Sequence, residues 1–157
     1  MNATCEDPIY VRWLIRRDMP EVLAIENELP SPATEKEIID CIRQRTMIGM
    51  VVEYEGVVVG YMIYELLKEK LRIHQLAVAK SHRRKGCGTA LVQKIARKLG
   101  DKNRTSIDIQ VSDGNFELIG FLKSLGFFIT SMAGRSFWMQ FTSEKRLKVS
   151  LKNRIKG

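Results

Sequence analysis

The segment Arg83-Arg84-Lys85-Gly86-Cys87-Gly88-Thr89-Ala90 holds the residue types and spacing from which chemistry is most directly read. Two glycines at i and i+2 let the main chain approach an anion closely. A helix opening just after them turns its first-turn N–H groups, and the positive end of its dipole, toward that charge. Arg83, Arg84 and Lys85 add mobile positive charge beside the glycines. The combination describes a cradle for a phosphate or diphosphate. Taken alone it also describes a basic turn entering a surface helix, so the flanking elements decide between the two. Upstream, Leu71-Arg72-Ile73-His74-Gln75-Leu76-Ala77-Val78 alternates as a half-buried strand does; downstream, Leu91, Ile95 and Leu99 recur on one helical face.

Neither of the familiar phosphate motifs fits. A Walker loop needs Gly-Lys-Ser/Thr after four intervening residues. A dinucleotide fingerprint needs a third Gly or Ala three residues after the second, where this chain has the large Leu91.

The segment resembles the R/Q-x-x-G-x-G/A signature of the GNAT superfamily of acetyl-CoA-dependent N-acetyltransferases, with Arg83, Gly86 and Gly88 at the fixed positions. Gln75-Leu76-Ala77-Val78 is similar to that family's preceding strand. Asn115, followed by Phe121-Leu122-Lys123-Ser124-Leu125-Gly126-Phe127, is similar to its last helix and exit, so the resemblance spans about residues 9–142. Within the superfamily the likeness is to the bacterial ribosomal-protein-alanine (RimI-like) acetyltransferases, which modify protein N-termini. The resemblance implies an α/β GNAT fold, a mixed and mostly antiparallel central sheet flanked by about four helices. It places the acetyltransferase domain at 1–143 and a basic C-terminal tail at 144–157.

The implied cosubstrate is acetyl-CoA, with no metal. The backbone of Leu76, Ala77 and Val78 would pair with the pantetheine arm as an added strand. Arg83, Arg84, Lys85, Gly86, Cys87, Gly88 and Thr89 would enclose the pyrophosphate. Asn115 matches the family's asparagine near the cofactor arm, and it is equally suited to be a plain helix N-cap. The acceptor would be a primary amine: a protein N-terminus, a lysine or a small amine.

At the catalytic positions the chain departs from these relatives. Where the ribosomal-protein enzymes hold a carboxylate base this chain has Gln110, and an amide does not accept a proton at neutral pH. The helix position that often carries a tyrosine acid is Leu122, and a strand position used for a base in other branches is Arg72. His74 is suited to titrate near neutrality but shares a strand face with Leu76 and Val78, where a packed, hydrogen-bonded histidine is expected. Glu26, Glu28, Glu53 and Glu65 are each candidates for ordering a water that relays the proton, so the catalytic group is left unassigned. A catalytically impaired CoA-binding sensor or docking module is the alternative function. Ala133-Gly134-Arg135-Ser136 forms a tight turn where the ribosomal-protein enzymes carry a longer, tyrosine-bearing loop, which makes a lysine or small amine a better acceptor.

With 157 residues and no Gly/Ser/Pro-rich linker, the chain is sized for one domain. No apolar run is long enough to span a bilayer, and the first eight residues lack a basic-then-apolar signal, so a cytoplasmic location is expected. Cys5, Cys41 and Cys87 match neither a disulfide framework nor a metal-ligand pattern and read as reduced thiols. Cys87, at a helix start among basic residues, is either a reactive thiolate or simply small enough for its place. The sequons at Asn2 and Asn103 carry no weight in that setting. The net charge of +8 is concentrated: residues 145–157 hold six basic and no acidic residues, leaving 20 basic against 18 acidic, or +2, in the body. That tail is either a solvated end or a contact for RNA, the ribosome or an acidic partner; without it, nothing supports a nucleic-acid-binding protein. The oligomeric state stays open.

Hydrophobic patterning predicts strand 9–15, then a helix from a capping box at Asp18 and Glu21 through Glu26. A second helix follows, from Thr34 and Glu37 to about Arg45. Strands Met47–Tyr54 and Val57–Leu67 flank the hairpin turn Glu55-Gly56. Strand 71–79, helix 88–100, strand 106–111, helix 115–125 and a hairpin of 127–132 with 137–141 complete the order β-α-α-β-β-β-α-β-α-β-β.

Overall fold

The computed structural model describes residues 7–100 and 103–143; Asn2, Cys5 and the basic segment 145–157 lie outside the described residues. Strands β1 (Ile9–Trp13), β2 (Met47–Tyr54), β3 (Val57–Leu66), β4 (Lys70–Val78), β5 (Ser106–Ser112), β6 (Phe128–Ala133) and β7 (Ser136–Thr142) form one sheet in the order β1-β2-β3-β4-β5-β7-β6. Helices α1 (Met19–Glu26), α2 (Glu35–Arg43), α3 (Cys87–Ala96) and α4 (Phe116–Ser124) complete the α/β arrangement. The β4–β5 pairing is parallel, whereas β1–β2, β5–β7 and β6–β7 are antiparallel, so the sheet is mixed and mostly antiparallel. The chain divides into two compact units, Met1–Tyr64 with Gln75–Lys94, and Glu65–His74 with Ile95–Gly157.

In the first unit Met19, Val22 and Ile25 of α1 and Ile38 of α2 pack with Val51, Tyr61, Ile63 and Ala77 of the strands. Alternation places these strand residues on one face of the pleat, and the i, i+3 spacing of the α1 residues makes a matching stripe. Glu55 (φ +52) and Gly56 (φ +83) are both left-handed, the conformation a two-residue hairpin turn requires. Thr34 caps α2 as expected, its hydroxyl accepting the Glu37 N–H at 3.2 Å. The expected capping box at Asp18 does not form. A 3-10 turn at Arg16–Asp18 already holds Asp18 in helical geometry, and its carboxylate accepts from Ile15 N and both Arg12 Nη atoms at 2.8–2.9 Å.

In the second unit the β5–β7 ladder runs from Ser106↔Thr142 to Ser112↔Ser136. Its buried residues include Leu71, Ile73, Ile107, Ile109, Ile119, Leu122, Met139 and Phe141. The Phe127 and Phe141 rings lie 5.6 Å apart. The third helix is shorter than the apolar pattern suggests. It ends at Ala96 rather than residue 100, because the Lys98 and Leu99 N–H groups step back only three residues, to Ile95 O and Ala96 O. Gly100 then turns left-handed (φ +94), its N–H donating to Arg104 O at 2.7 Å.

Candidate active site

The first unit carries the glycine loop at the end of β4. The Ala79 N–H donates to Val59 O at 2.7 Å, and the Lys80 N–H to the Glu28 carboxylate at 3.1 and 3.3 Å, so both sides of the strand's exit are fixed. A 3-10 turn, Lys80–His82, leads to Arg83, which is extended (φ −71, ψ 152). Arg84 is left-handed (φ +63), Lys85 is not, and Gly86 is left-handed again (φ +89) before α3 begins. Alternating signs of φ turn successive N–H groups into one concavity, the backbone nest that binds anions. The Ala90 N–H donates to Gly86 O at 2.9 Å and starts the helical ladder. Cys87, Gly88 and Thr89 therefore hold first-turn positions, whose N–H groups have no intrahelical carbonyl to meet. Holding Arg84 left-handed costs roughly 1–2 kcal/mol for a residue with a Cβ, a cost characteristic of functional loops.

The basic side chains divide between support and exposure. Arg83 Nε donates to Val78 O at 3.1 Å and stitches the loop to the end of β4. Lys85 Nζ lies 4.9 Å from the centroid of the Tyr54 ring, which also meets the His82 ring at 5.3 Å. Arg84 is exposed. Of the three, Arg83 and Lys85 are thus braces of the loop more than mobile charges. Cys87 is buried, and burial pushes its thiol up against the smaller opposing pull of Lys85, so it is a small packing residue and not an activated thiolate.

The parallel β4–β5 ladder ends at Ile73↔Ile109, so Leu76, Ala77 and Val78 lie past its last pair. Gly60 on β3 lies beneath them. A Cβ there would sit 2.8 Å from Val52 Cγ1, 3.0 Å from Ala77 O and 3.1 Å from Val78 Cγ2. Sequence reasoning does not single out Gly60 or Glu28 as supports of this region. A glycine interrupting an otherwise apolar strand is the signal that marks Gly60.

In the second unit Asn115 is the N-cap of α4, its Oδ1 accepting the Leu118 N–H at 3.2 Å. Gln110 is exposed on β5 opposite Trp138. Leu122 is completely buried, a core position rather than a vacated acid site. Arg72 clasps Asp108 through Nε (2.8 Å) and Nη2 (3.2 Å), with its guanidinium 4.6 Å from the Trp138 ring centroid. That hydrogen bond, against burial, raises Arg72 further above its ordinary range. Arg72 is therefore a fixed cation, not a base.

His74 is exposed and not packed, contrary to expectation. The buried residues here are Leu71 and Ile73, which leaves Arg72 and His74 on the opposite face. The expected hydrogen bond does form: His74 Nε2 lies 2.8 Å from Glu65 Oε1. The other carboxylates are engaged elsewhere. Glu26 is buried and accepts from the Tyr61 hydroxyl and from Ala33 N, the latter at 2.8 Å, tying the loop after α1 to β3. Burial and this partner raise Tyr61 well above the usual phenol range. Glu53 accepts from Arg12 Nε at 2.6 Å. Among the described residues no group of three or more His, Cys, Asp or Glu is placed to hold a metal ion, and no helix is long and apolar enough to cross a membrane.

A family model described as the Acetyltransferase (GNAT) family matches residues 10–127, taking in β1 through α4 and the whole nest. The chain belongs to the GNAT acetyltransferases. It is an acetyl-CoA-dependent N-acetyltransferase. Solved structures agree in fold. Ard1 from Thermoplasma volcanium superposes with a TM-score of 0.75 at 26% identity, covering 86% of this chain and 97% of that one. The ribosomal-protein-S18-alanine N-acetyltransferase from Escherichia coli gives 0.74 at 19%, covering 85% and 93%. Arabidopsis thaliana Naa50, in complex with the bisubstrate analogue CoA-Ac-MVNAL, gives 0.71 at 18%, covering 86% and 99%. No curated protein matches the chain.

Proposed function

We propose that this GNAT enzyme moves the acetyl group of acetyl-CoA directly to a primary amine, with both substrates bound together. The observation that carries the reading is the nest at residues 83–89, braced from behind by the Arg83 bond to Val78 O. Its concavity fits a diphosphate, since main-chain N–H groups supply the contacts and Gly86 needs no side chain to do so. The backbone of Leu76, Ala77 and Val78, past the end of the β5 ladder, is suited to pair with the pantetheine arm as a strand would. With Oδ1 spent on the cap, the Asn115 side-chain N–H₂ keeps its donors for the cofactor role that the resemblance implies.

Acetyl-CoA supplies an acetyl group activated as a thioester. The amine nitrogen bonds to the acetyl carbon, the C–S bond breaks, and the thiolate leaves; the amine loses one proton to a base and the thiolate gains one. We assign the base to His74, held by Glu65, since an exposed imidazole oriented by a carboxylate is the usual arrangement for accepting a proton. His74 precedes Leu76 by two residues and shares its strand face. Titrable thiol released from acetyl-CoA with a panel of amines tests the reading, together with the rise in thermal midpoint that acetyl-CoA should cause. A rise without thiol release from any amine would instead identify a CoA-binding module, the reading that Gln110 favours. On the acceptor, the two-residue turn Gly134-Arg135, closed by Ala133↔Ser136, is too short to wall off a peptide groove and leaves the acceptor side open to small amines as well as to peptide termini.

A further inference from the structure

The second unit holds a cleft of about 260 Å³ lined by Lys70, Arg72, Asp108, Thr130, Ser131 and Trp138 among others. Its floor and walls follow from the strand register. Arg72 and Asp108 are opposite each other in the parallel β4–β5 pair. Trp138 lies on β7, and the irregularity of β6 between Ile129 and Ser131 offsets the β6 side of the cleft.

The charges are layered. The Asp108 side chain is 10% exposed, against 29% for Arg72 and 37% for Lys70. The carboxylate lies beneath and the cations face outward. Arg72 spends two of its guanidinium N–H groups on Asp108, and Lys70 Nζ reaches Asp108 Oδ2 at 3.0 Å. A guanidinium has five N–H donors and an ammonium three, so most donors of both cations remain for a ligand. Thr130 Oγ1 donates to Trp138 O at 3.2 Å and stays able to accept. Glu65 acts on Arg72 through space, but its Oε1 is taken by His74. Two outward cations over one buried anion leave an excess of donors facing outward, with the Trp138 ring centroid 4.6 Å from the Arg72 guanidinium.

We propose that this cleft receives a carboxylate of the acceptor, so that the enzyme acetylates amines carrying a carboxylate, either amino acids or acidic peptides. The inference rests on the transferase reading above, since a carboxylate docked near Arg72 places its amine along β4 toward His74. A polyamine or a plain lysine would bring positive charge against the outward Lys70 and Arg72 and is disfavoured.

The test uses matched probes on the full chain. N-acetylglutamate and N-acetylglutamine are titrated while the indole N–H resonance of Trp138 is followed, assigned with Trp138→Phe. In parallel, kcat/KM is compared for glutamate against glutamine and for peptides with Glu or Gln beside the N-terminus. The acid probe is expected to shift the indole resonance and the amide probe not. The better acid acceptor is expected to exceed its amide by about tenfold, as charge-assisted hydrogen bonds allow. Whether the amino acid or the peptide shows the difference identifies the source of the carboxylate. Lys70→Gln, at a half-exposed position, should erase most of the preference through KM, with Arg72→Lys as a second variant that keeps the charge but breaks the fork. Equal response to acid and amide probes overturns the proposal. The acetyl-CoA thermal shift is read separately, so a failed cleft and a failed carrier site are told apart.

Discussion

Gly86→Glu puts the nest under the most direct test. At φ +89 any side chain is strained, at roughly 1–2 kcal/mol. For a chain of this size that lowers the apo thermal midpoint by about 2–8 °C. Space is not the difficulty, since the nearest atom to a new Cβ is Ile9 Cδ1 at 3.4 Å. Gly86→Ala therefore shares the strain without adding charge, and separates strain from electrostatics. Acetyl-CoA at roughly a hundredfold excess over its Kd stabilises the wild type by about 2.7 kcal/mol, a rise of about 5–11 °C. Gly86→Glu adds a charge of the same sign as the diphosphate at the nest, so the rise should vanish in that variant and persist, reduced, in Gly86→Ala. Differential scanning fluorimetry with and without acetyl-CoA reads both. An undiminished rise in Gly86→Glu would refute the assignment of residues 83–89 to the diphosphate.

Other outcomes follow from the same geometry. Gly60→Val drives a Cβ to within 2.8 Å of Val52 Cγ1 and 3.0 Å of Ala77 O, and overpacking of this kind costs about 1–3 kcal/mol. Urea denaturation should register that cost, and the acetyl-CoA Kd should rise because Ala77 and Val78 are displaced. His74→Gln should lower kcat by about 10²-fold or more while leaving the acetyl-CoA thermal shift intact; an unchanged kcat excludes His74 as the base. Asp18 is held below its ordinary range chiefly by the Arg12 hydrogen bonds, with the Ile15 N–H adding to them against burial. Its folded-state value is depressed, so its contribution to stability is present above the unfolded value, near 3.8, and is lost as pH falls through the folded one. Asp18→Asn should be less stable at neutral pH and show a flatter acid limb in denaturation measured from about pH 6 down to about pH 2.

The geometry of the glycine loop is legible in the sequence because it is a matter of backbone. Two small residues, a strand before and a helix after are visible in one sequence, and the nest needs nothing else. The order of elements along the chain follows for a similar reason, since alternation marks the strands and the Glu55-Gly56 turn marks a hairpin. The uses of polar side chains are what the sequence hides. Asp18 and Glu21 have the spacing of a capping box, but nothing local reveals that Arg12, six residues earlier, claims the Asp18 carboxylate. The apolar strand neighbours of His74 suggest packing; which of the two alternating faces is covered is fixed by the rest of the fold, not by β4 itself. Glu28 supports the exit of β4 from 52 residues away, and Gly60 lies under Ala77 from another strand, so only the folded chain brings them there.

That division has a consequence for how the acceptor is chosen. Main-chain recognition of the carrier, as proposed, tolerates almost any side chain, so it would constrain the sequence only at Gly86, Gly88 and their supports. The proposed acceptor cleft is lined by Arg72, Asp108, Trp138 and Lys70, where one substitution changes sign of charge or removes a fork. Gln110 and Leu122 lie outside the main-chain carrier site, which is why the absence of the usual pair there does not by itself abolish chemistry. A thioester needs little activation toward a free amine, so positioning supplies most of the rate and a base in a new place suffices. If that is right, moving the base is tolerated but loosening the acceptor is not. Arg72→Lys, which keeps the cation and loses the planar fork, should then cost more in kcat/KM than Gln110→Ala, and the reverse order in steady-state assays would show that Gln110 still serves the reaction.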